Sequence, residues 1–550
     1  RLRKFVLDLA VRGKLVEQNP EDEPVEELLE RITAEKARLV KAGETKARKP
    51  STRQRDEPLD FQLPSGWTLS DLGDISLKIT DGAHKTPTYV EHGVPFVSVK
   101  DFSGGKLRLG NTRFIPEAEH KTLYKRCDPR RGDILLGRIG TLGKAVLVDT
   151  DVEFSLFVSV GLIRFDHNNL QPEFFRLLLN SPLVEEEFNR IKVGGGTHTN
   201  KLNLGDLHTV AIPLPPLPEQ HRIVAKVDEL TALLDRLETT RTQRETTRDR
   251  LATASLTRLT APDTTEKDFA GHARFALDNL DQLTSRPDQI KVLRQTILNL
   301  AVRGKLVEQD PADEPASVLL KQIAVDRNNL LTTGEIKKQK PILPVNQDDT
   351  PYDVPDSWEW ARFNEIAAIQ SNLVDPKRYP EMPHIAPDNI EGWTARLLSY
   401  SNVKEAGVFS GKHLFAAGSI LYSKIRPNLA KVAIVDFKGL CSADMYPIRS
   451  LIFREFLVTF MITGAFVNQA VSEDNRVAMP KINQLSLSNL LVPIPPLAEQ
   501  HRIVEKVDSL MELCNKLEAD TTAAVSNRAR LLDLLLRNSL AQDAQGREAA

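Results

Sequence analysis

The chain has 550 residues, with 73 Lys plus Arg against 75 Asp plus Glu and a formal net charge of −2. That length exceeds what one hydrophobic core holds and calls for several domains. The balanced charge excludes a polycationic nucleic-acid coat, so any contact with DNA must gather positive charge locally.

In chain order, Leu2, Val6, Leu9 and Ala10 fall at helical spacing, with Gly13 as a stop. Asp22-Glu23-Pro24 opens a second helix, and Val25, Leu28, Leu29 and Ile32 make its apolar stripe. A charged, Pro-containing connector covers 41–58. Beyond it the sequence reads as mixed α and β. Strands are predicted at 94–99, 133–139, 144–149 and 161–165, and one helix at 174–191. A Pro-rich strap then leads into a helix from Glu219 to about Leu259, roughly 60 Å at about 1.5 Å per residue. Ile223, Val227, Leu230, Leu234 and Leu237 form a heptad seam along it.

The same order then recurs. Residues 2–20 (LRKFVLDLAVRGKLVEQNP) match 293–311 (LRQTILNLAVRGKLVEQDP) at 14 of 19 positions. Residues 213–228 (PLPPLPEQHRIVAKVD) match 493–508 (PIPPLAEQHRIVEKVD) at 13 of 16. Between these blocks the copies diverge, although Pro64/Pro355, Trp67/Trp358 and Ile75/Ile366 stay in register. The second copy has a connector at 332–351, strands at 419–425 and 431–436, and a helix at 453–471. Its seam is Ile503, Val507, Leu510, Cys514 and Leu517.

The expected fold is therefore α+β, as two tandem repeats. Each repeat is an α+β domain followed by a long helix, and the two long helices pack as an antiparallel coiled coil that buries both seams. The expected segments are a helical frame at 1–59, a first insert at 60–215 and a first spacer helix at 216–262. A central frame and linker at 263–351, a second insert at 352–495, a second spacer helix at 496–540 and a disordered tail at 541–550 complete the chain. Near-identical frames around divergent inserts mean one job done twice and two different jobs of one kind. Two paralogous domains with fast-changing loops would explain the duplication but not the unchanged borders.

Positive charge is local. Residues 100–150 carry 11 Lys/Arg against 6 Asp/Glu, and 396–438 carry 7 against 2. The candidates for DNA contact in the first insert are Lys100, Lys106, Arg108, Arg113, Arg138 and Lys144, with Thr197, His198 and Asn200 in a polar loop. In the second they are Lys412, Lys424, Arg426, Asn428 and Lys431. The corresponding positions 138/424 and 144/431 suit phosphate, useful whatever the sequence. Arg426 and Asn428 face Gly140 and Thr141 and better suit base reading.

The repeated frames at 2–24 and 293–316 and the straps at 213–224 and 493–504 resemble the specificity (S) subunit family of type I restriction–modification systems. The approach to each strap, Thr197 to Asn203 and Ala478 to Asn483, fits as well. The resemblance covers essentially the whole chain. It implies that each insert is a target-recognition domain reading one half of a bipartite, asymmetric site in double-stranded DNA. It implies that the spacer helices hold the domains at a fixed distance. It implies two methyltransferase (M) subunits that methylate adenine with S-adenosylmethionine, and restriction (R) subunits that use ATP and Mg²⁺. The chain itself would be non-catalytic and without cofactor, a cytoplasmic component of phage defence.

The residues agree with a reader rather than an enzyme. The only double prolines lie in the straps, so there is no [DN]PP[YF] adenine-pocket run. GRIGTLGKA at 137–145 has Arg138 where a phosphate loop needs Gly and Ala145 where it needs Ser/Thr, and reads as a β-turn. His84, His92, His120, His167, His198 and His208 are scattered and suggest no metal. Cys127, Cys441 and Cys514 form no CxxC pair, which suits a reducing compartment. No apolar run approaches the ~20 residues of a membrane span, and no signal-peptide core opens the chain. It begins at Arg1, so at least an initiator methionine is expected before it. An unrecognised nuclease or methyltransferase, and a Pro-rich protein–protein adaptor without sequence-specific DNA binding, are the alternatives.

Overall fold

The computed structural model describes residues 1–45, 61–194, 200–261, 266–336, 344–472 and 480–545. These form two compact units, 1–242 with 531–550, and 243–530. The division falls inside the long helices Leu217–Thr260 and Leu497–Gln545.

In the first unit, helices Leu2–Val11 and Val25–Lys41 make the frame. Glu26 and Glu27 lie in the first turn of the second helix and Arg38 and Lys41 in its last, both favourable to the helix dipole. Val25, Leu28 and Ile32 are its buried stripe. The insert opens on Thr68–Asp71, which pairs antiparallel with Ala211–Leu214 just before the strap, so the insert leaves and re-enters the frame at one place. Its main sheet has four antiparallel strands in the order Ser76–Asp81, Val160–Phe165, Ile134–Gly137, Ala145–Leu147. A three-stranded sheet holds Arg113–Ile115, Val94–Val97 and Ser155–Leu156.

The second unit repeats this plan. Glu359–Arg362 pairs with Leu491–Ile494 as the insert's entry and exit. The four-stranded sheet has the order Ala367–Ile369, Met445–Ser450, Ser419–Ser423, Val432–Val435. Its second sheet has grown to five strands, with Leu373–Val374, Lys412–Phe415, Gly439–Cys441, Pro383–Ile385 and Ser401–Asn402. Divergence is thus concentrated in the second sheet of each insert and its loops.

Several elements differ from expectation. The predicted helix at 174–191 is two, Pro172–Leu179 and Pro182–Ile191. Pro182 cannot donate an amide to a continuing helix, and Ser181 caps the new one by accepting from Val184 N. The predicted helix at 453–471 is likewise Arg454–Met461 and Gly464–Ser472, bent by 66°. Among the described residues no single helix is long and apolar enough to cross a membrane. Helix Glu266–Asp278 lies in the region read as central linker. The last helix runs to Gln545, into the stretch read as a disordered tail, whose final residues 546–550 lie outside the described ones.

The heptad seams serve first to dock each long helix on its own unit. Ile223 and Val227 join the insert core, Leu230 and Leu234 are half-buried, and Leu237 is 57% exposed. Ile503 and Val507 join the second core, while Leu510, Cys514 and Leu517 pack on Ile290, Leu293 and Ile297. Frame residue Arg3 ties down Asp235 and Glu238, and its counterpart Arg294 ties down Asn515 and Glu518.

Candidate nucleic-acid interface

The strap explains why its sequence recurs. Glu219 is fully buried and accepts from Trp67 Nε1 at 3.0 Å and Gln18 Nε2 at 2.7 Å. Glu499 accepts from Trp358 Nε1 at 2.9 Å and Gln309 Nε2 at 2.6 Å. Burial pushes both carboxyl pKa values up, and the donated hydrogen bonds oppose that. The next residue, Gln220, donates to Pro215 O of the strap and accepts from Gln171 N of the insert; Gln500 does the same with Pro495 O and Phe453 N. Arg222 grips Asp22 and Arg502 grips Asp313, both at 2.6 Å. Each Glu-Gln-x-Arg-Ile run therefore binds frame, insert and long helix into one rigid joint, so the sheet above it has a fixed attitude.

That sheet carries the candidate loops. In the first insert, strands Ile134–Gly137 and Ala145–Leu147 are joined by a loop containing Gly140 and Gly143, at φ +80° and +73°. Gly140 N donates to Asn200 O at 3.0 Å, Leu202 N to Arg138 O at 2.8 Å, and Ile139 bridges Lys201. In the second, Arg426 N donates to Pro480 O at 2.8 Å, Ile482 N to Lys424 O at 2.9 Å, and Ile425 bridges Lys481. The same backbone device seats both loops beside the segment that approaches the strap.

Lys100, Lys106, Arg108 and Arg113 are exposed on or near the small sheet of the first insert, with Arg113 stacked on Tyr89 at 4.4 Å. Lys144 is half-buried, and its carbonyl accepts from Gly137 N at 2.9 Å across the base of the loop. Thr197 and His198 lie outside the described residues, and Asn200 is half-buried, with no hydrogen-bond partner for its Oδ1 among the described residues. In the second insert Arg426 and Asn428 are exposed at the loop tip. Lys424 is half-buried with its ammonium 5.4 Å from the centre of the Tyr446 ring.

Three expectations need correction. Arg138 is 7% exposed, and its guanidinium is held by Asp81, Leu202 O and Val158 O. Desolvation lowers its pKa against the pull of Asp81. It braces the loop and offers no free cation to a phosphate. Lys412 is 6% exposed, with its ammonium on Ser410 O and Oγ at 3.0 and 2.7 Å. Lys431 is half-buried and donates to Pro387 O at 2.7 Å and Asp388 at 3.3 Å. For Arg138 and Lys431 the partners are distant in sequence and invisible to local charge counting, whereas Lys412 turns back on Ser410, two residues before it.

Conversely, Arg126 and His84 were not among the candidates. Both project outward from buried Asp81, with 3.2 Å between them, so a carboxylate that braces Arg138 inside also orients an exposed guanidinium outside. Asp81 carries no local signal of this, because the two arginines it joins lie 45 and 57 residues away. His120 lies between Ser155 Oγ at 2.9 Å and Glu153 at 3.2 Å, but Ser155 is 1% exposed and cannot meet a substrate. Among the described residues no group of three or more His, Cys, Asp or Glu could hold a metal ion.

Two look-alike units with rigidly mounted, dissimilar loops define the class as paired specificity domains. The family model for the type I restriction modification DNA specificity domain matches residues 64–245 and again 355–527. The chain belongs to that family. It is 29% identical to the type I restriction enzyme EcoAI specificity subunit of Escherichia coli, over 97% of this chain and 92% of that one. It is 30% identical to the EcoEI specificity subunit of the same species, over 97% and 93%. The solved HsdS subunit from Thermoanaerobacter tengcongensis is 18% identical over 87% of this chain and 98% of that one, with a TM-score of 0.44.

Proposed function

We propose that this chain is the DNA-sequence-reading subunit of a type I restriction–modification enzyme. Each insert reads one half of a bipartite, asymmetric duplex target, and the frames carry the methyltransferase (M) and restriction (R) subunits. The observation that carries this reading is that one chain holds two specificity domains on equivalent frame joints but with different loops. One polypeptide can then read two unlike sequences at a set spacing, as rigid dimeric readers do for palindromes.

The chemistry belongs to the partners: S-adenosylmethionine on two M subunits for adenine methylation, and ATP with Mg²⁺ on the R subunits. This chain is non-catalytic and works beside them in the cytoplasm. The long helices act as an antiparallel spacer. Exchanging 60–212 for another member's insert, and mapping methylated adenines in cells with the intact system, tests the reading. One half-site should change and the other stay; an unchanged pair of half-sites would refute it.

A further inference from the structure

Four described residues other than glycine have left-handed backbone: Trp393, Ala395, Arg426 and Ala430. A side chain there crowds the following carbonyl, so each is held at a cost that something must offset. For three of them the compensation is visible. Ala430 is fully buried in the second unit's core, and Trp393 and Ala395 pack against that core. Arg426, at φ +50°, is exposed, and no ion pair or side-chain hydrogen bond holds its guanidinium among the described residues.

The first insert shows what this position needs for folding. Its equivalent is Gly140, also left-handed at φ +80°, and seated by the matching bond to Asn200 O. Glycine makes this turn without strain. Arg426 therefore contributes nothing to its own fold that glycine would not contribute better. Its backbone is locked at both faces, by donation from N to Pro480 O and acceptance from Leu429 N at 2.9 Å, so the guanidinium leaves a fixed point. A fixed origin is what a bidentate contact requires and what a diffuse phosphate contact does not.

We infer that Arg426 is a specificity-determining residue that reads a guanine in the half-site bound by the second insert, its guanidinium donating to O6 and N7 in the major groove. This rests on the DNA-reading function proposed above.

The test uses the intact system in cells, with wild-type chain, Arg426→Gly and Arg426→Gln, and maps methylated adenines genome-wide. The wild-type motif should hold a G·C pair in the second insert's half-site. In Arg426→Gly that one pair should become degenerate while the other half-site and the gap persist. The purified variant should melt no lower than wild type. In competition between duplexes differing at that pair, preference should fall about 5- to 150-fold, the worth of one bidentate contact. Arg426→Gln should shift the preference at the same pair towards A·T. An unchanged motif, or weakening spread evenly over all sites in both folded variants, would overturn the assignment. If Arg426→Gly methylates nothing, Arg426→Gln decides by the same criterion. Replacing 352–492 with another member's insert separates the two claims. If neither half-site changes, the insert does not read DNA at all. If one changes but Arg426 variants alter nothing, only the role of Arg426 fails.

Discussion

Trp67 donates its indole N–H to the buried carboxylate of Glu219, 152 residues away in sequence, at 3.0 Å. The bond ties the first strand of the insert to the first turn of the long helix, and Trp358 with Glu499 repeats it. Removing the acceptor leaves a buried indole donor unsatisfied, at about 1–3 kcal/mol. Glu219→Ala should lower stability by that amount, and Glu499→Ala should do the same in its own unit, read from urea midpoints.

The same carboxyls set a pH dependence. Their folded pKa values lie above the ordinary glutamate value, so the folded state holds the proton more tightly than the unfolded one. Their contribution to stability is fully present below the unfolded value of about 4.3 and is lost as pH rises through the raised folded value. The Glu219→Ala/Glu499→Ala double variant should show a smaller decline in stability across that window. An identical slope in both proteins would contradict the assignment.

Gly13 and Gly304 are left-handed, at φ +68° and +67°, and an added Cβ would lie 2.4 Å from Pro64 Cγ and Pro355 Cγ. Strain and overlap act together, so Gly13→Ala should cost roughly 2 kcal/mol or more. Calorimetry on the Gly13→Ala and Gly304→Ala proteins would measure it. Gly43, also left-handed but with open space around it, should suffer the smaller backbone penalty only.

Arg138 and Lys100 should behave oppositely. Breaking the buried Arg138–Asp81 pair should destabilise by about 3 kcal/mol, since Asp81 loses its interior partner. Lys100→Ala should leave stability within about 0.5 kcal/mol. It should instead weaken DNA binding and reduce the salt slope by about 0.9. Paired unfolding and salt-titration measurements distinguish the two roles.

The three cysteines should be inert in the folded chain. Cys127 and Cys441 are buried and pushed up to about 12 by desolvation, and Cys514 is buried with its pKa also raised. Few thiolates are then present at neutral pH. A thiol reagent should titrate none of them until denaturant is added.

The repeated blocks were legible because their working residues are contiguous, although their partners are not: Glu219, Gln220, Arg222 and Ile223 occupy one helical turn and a half, and 499–503 copy them. Main strands were legible too, since Ile134–Gly137 and Val160–Phe165 are apolar runs bounded by turns. The five-stranded sheet was not, because strands of two or three residues such as Leu373–Val374 and Ser401–Asn402 leave no period to read. Charge windows could not see that Arg138, Lys412 and Lys431 are held by groups of their own chain.

The sequence alone determined that there are two copies of one plan and that the loops between equivalent strands differ. Those properties reside in residue identity and order. Tertiary structure decided which cations are free: Asp81 claims Arg138, Ser410 claims Lys412 and Asp388 claims Lys431, while Arg426 stands exposed on a strained backbone. A side chain's charge is written in its codon, but its availability depends on how deeply the packed chain buries it and which group it brings within hydrogen-bond reach.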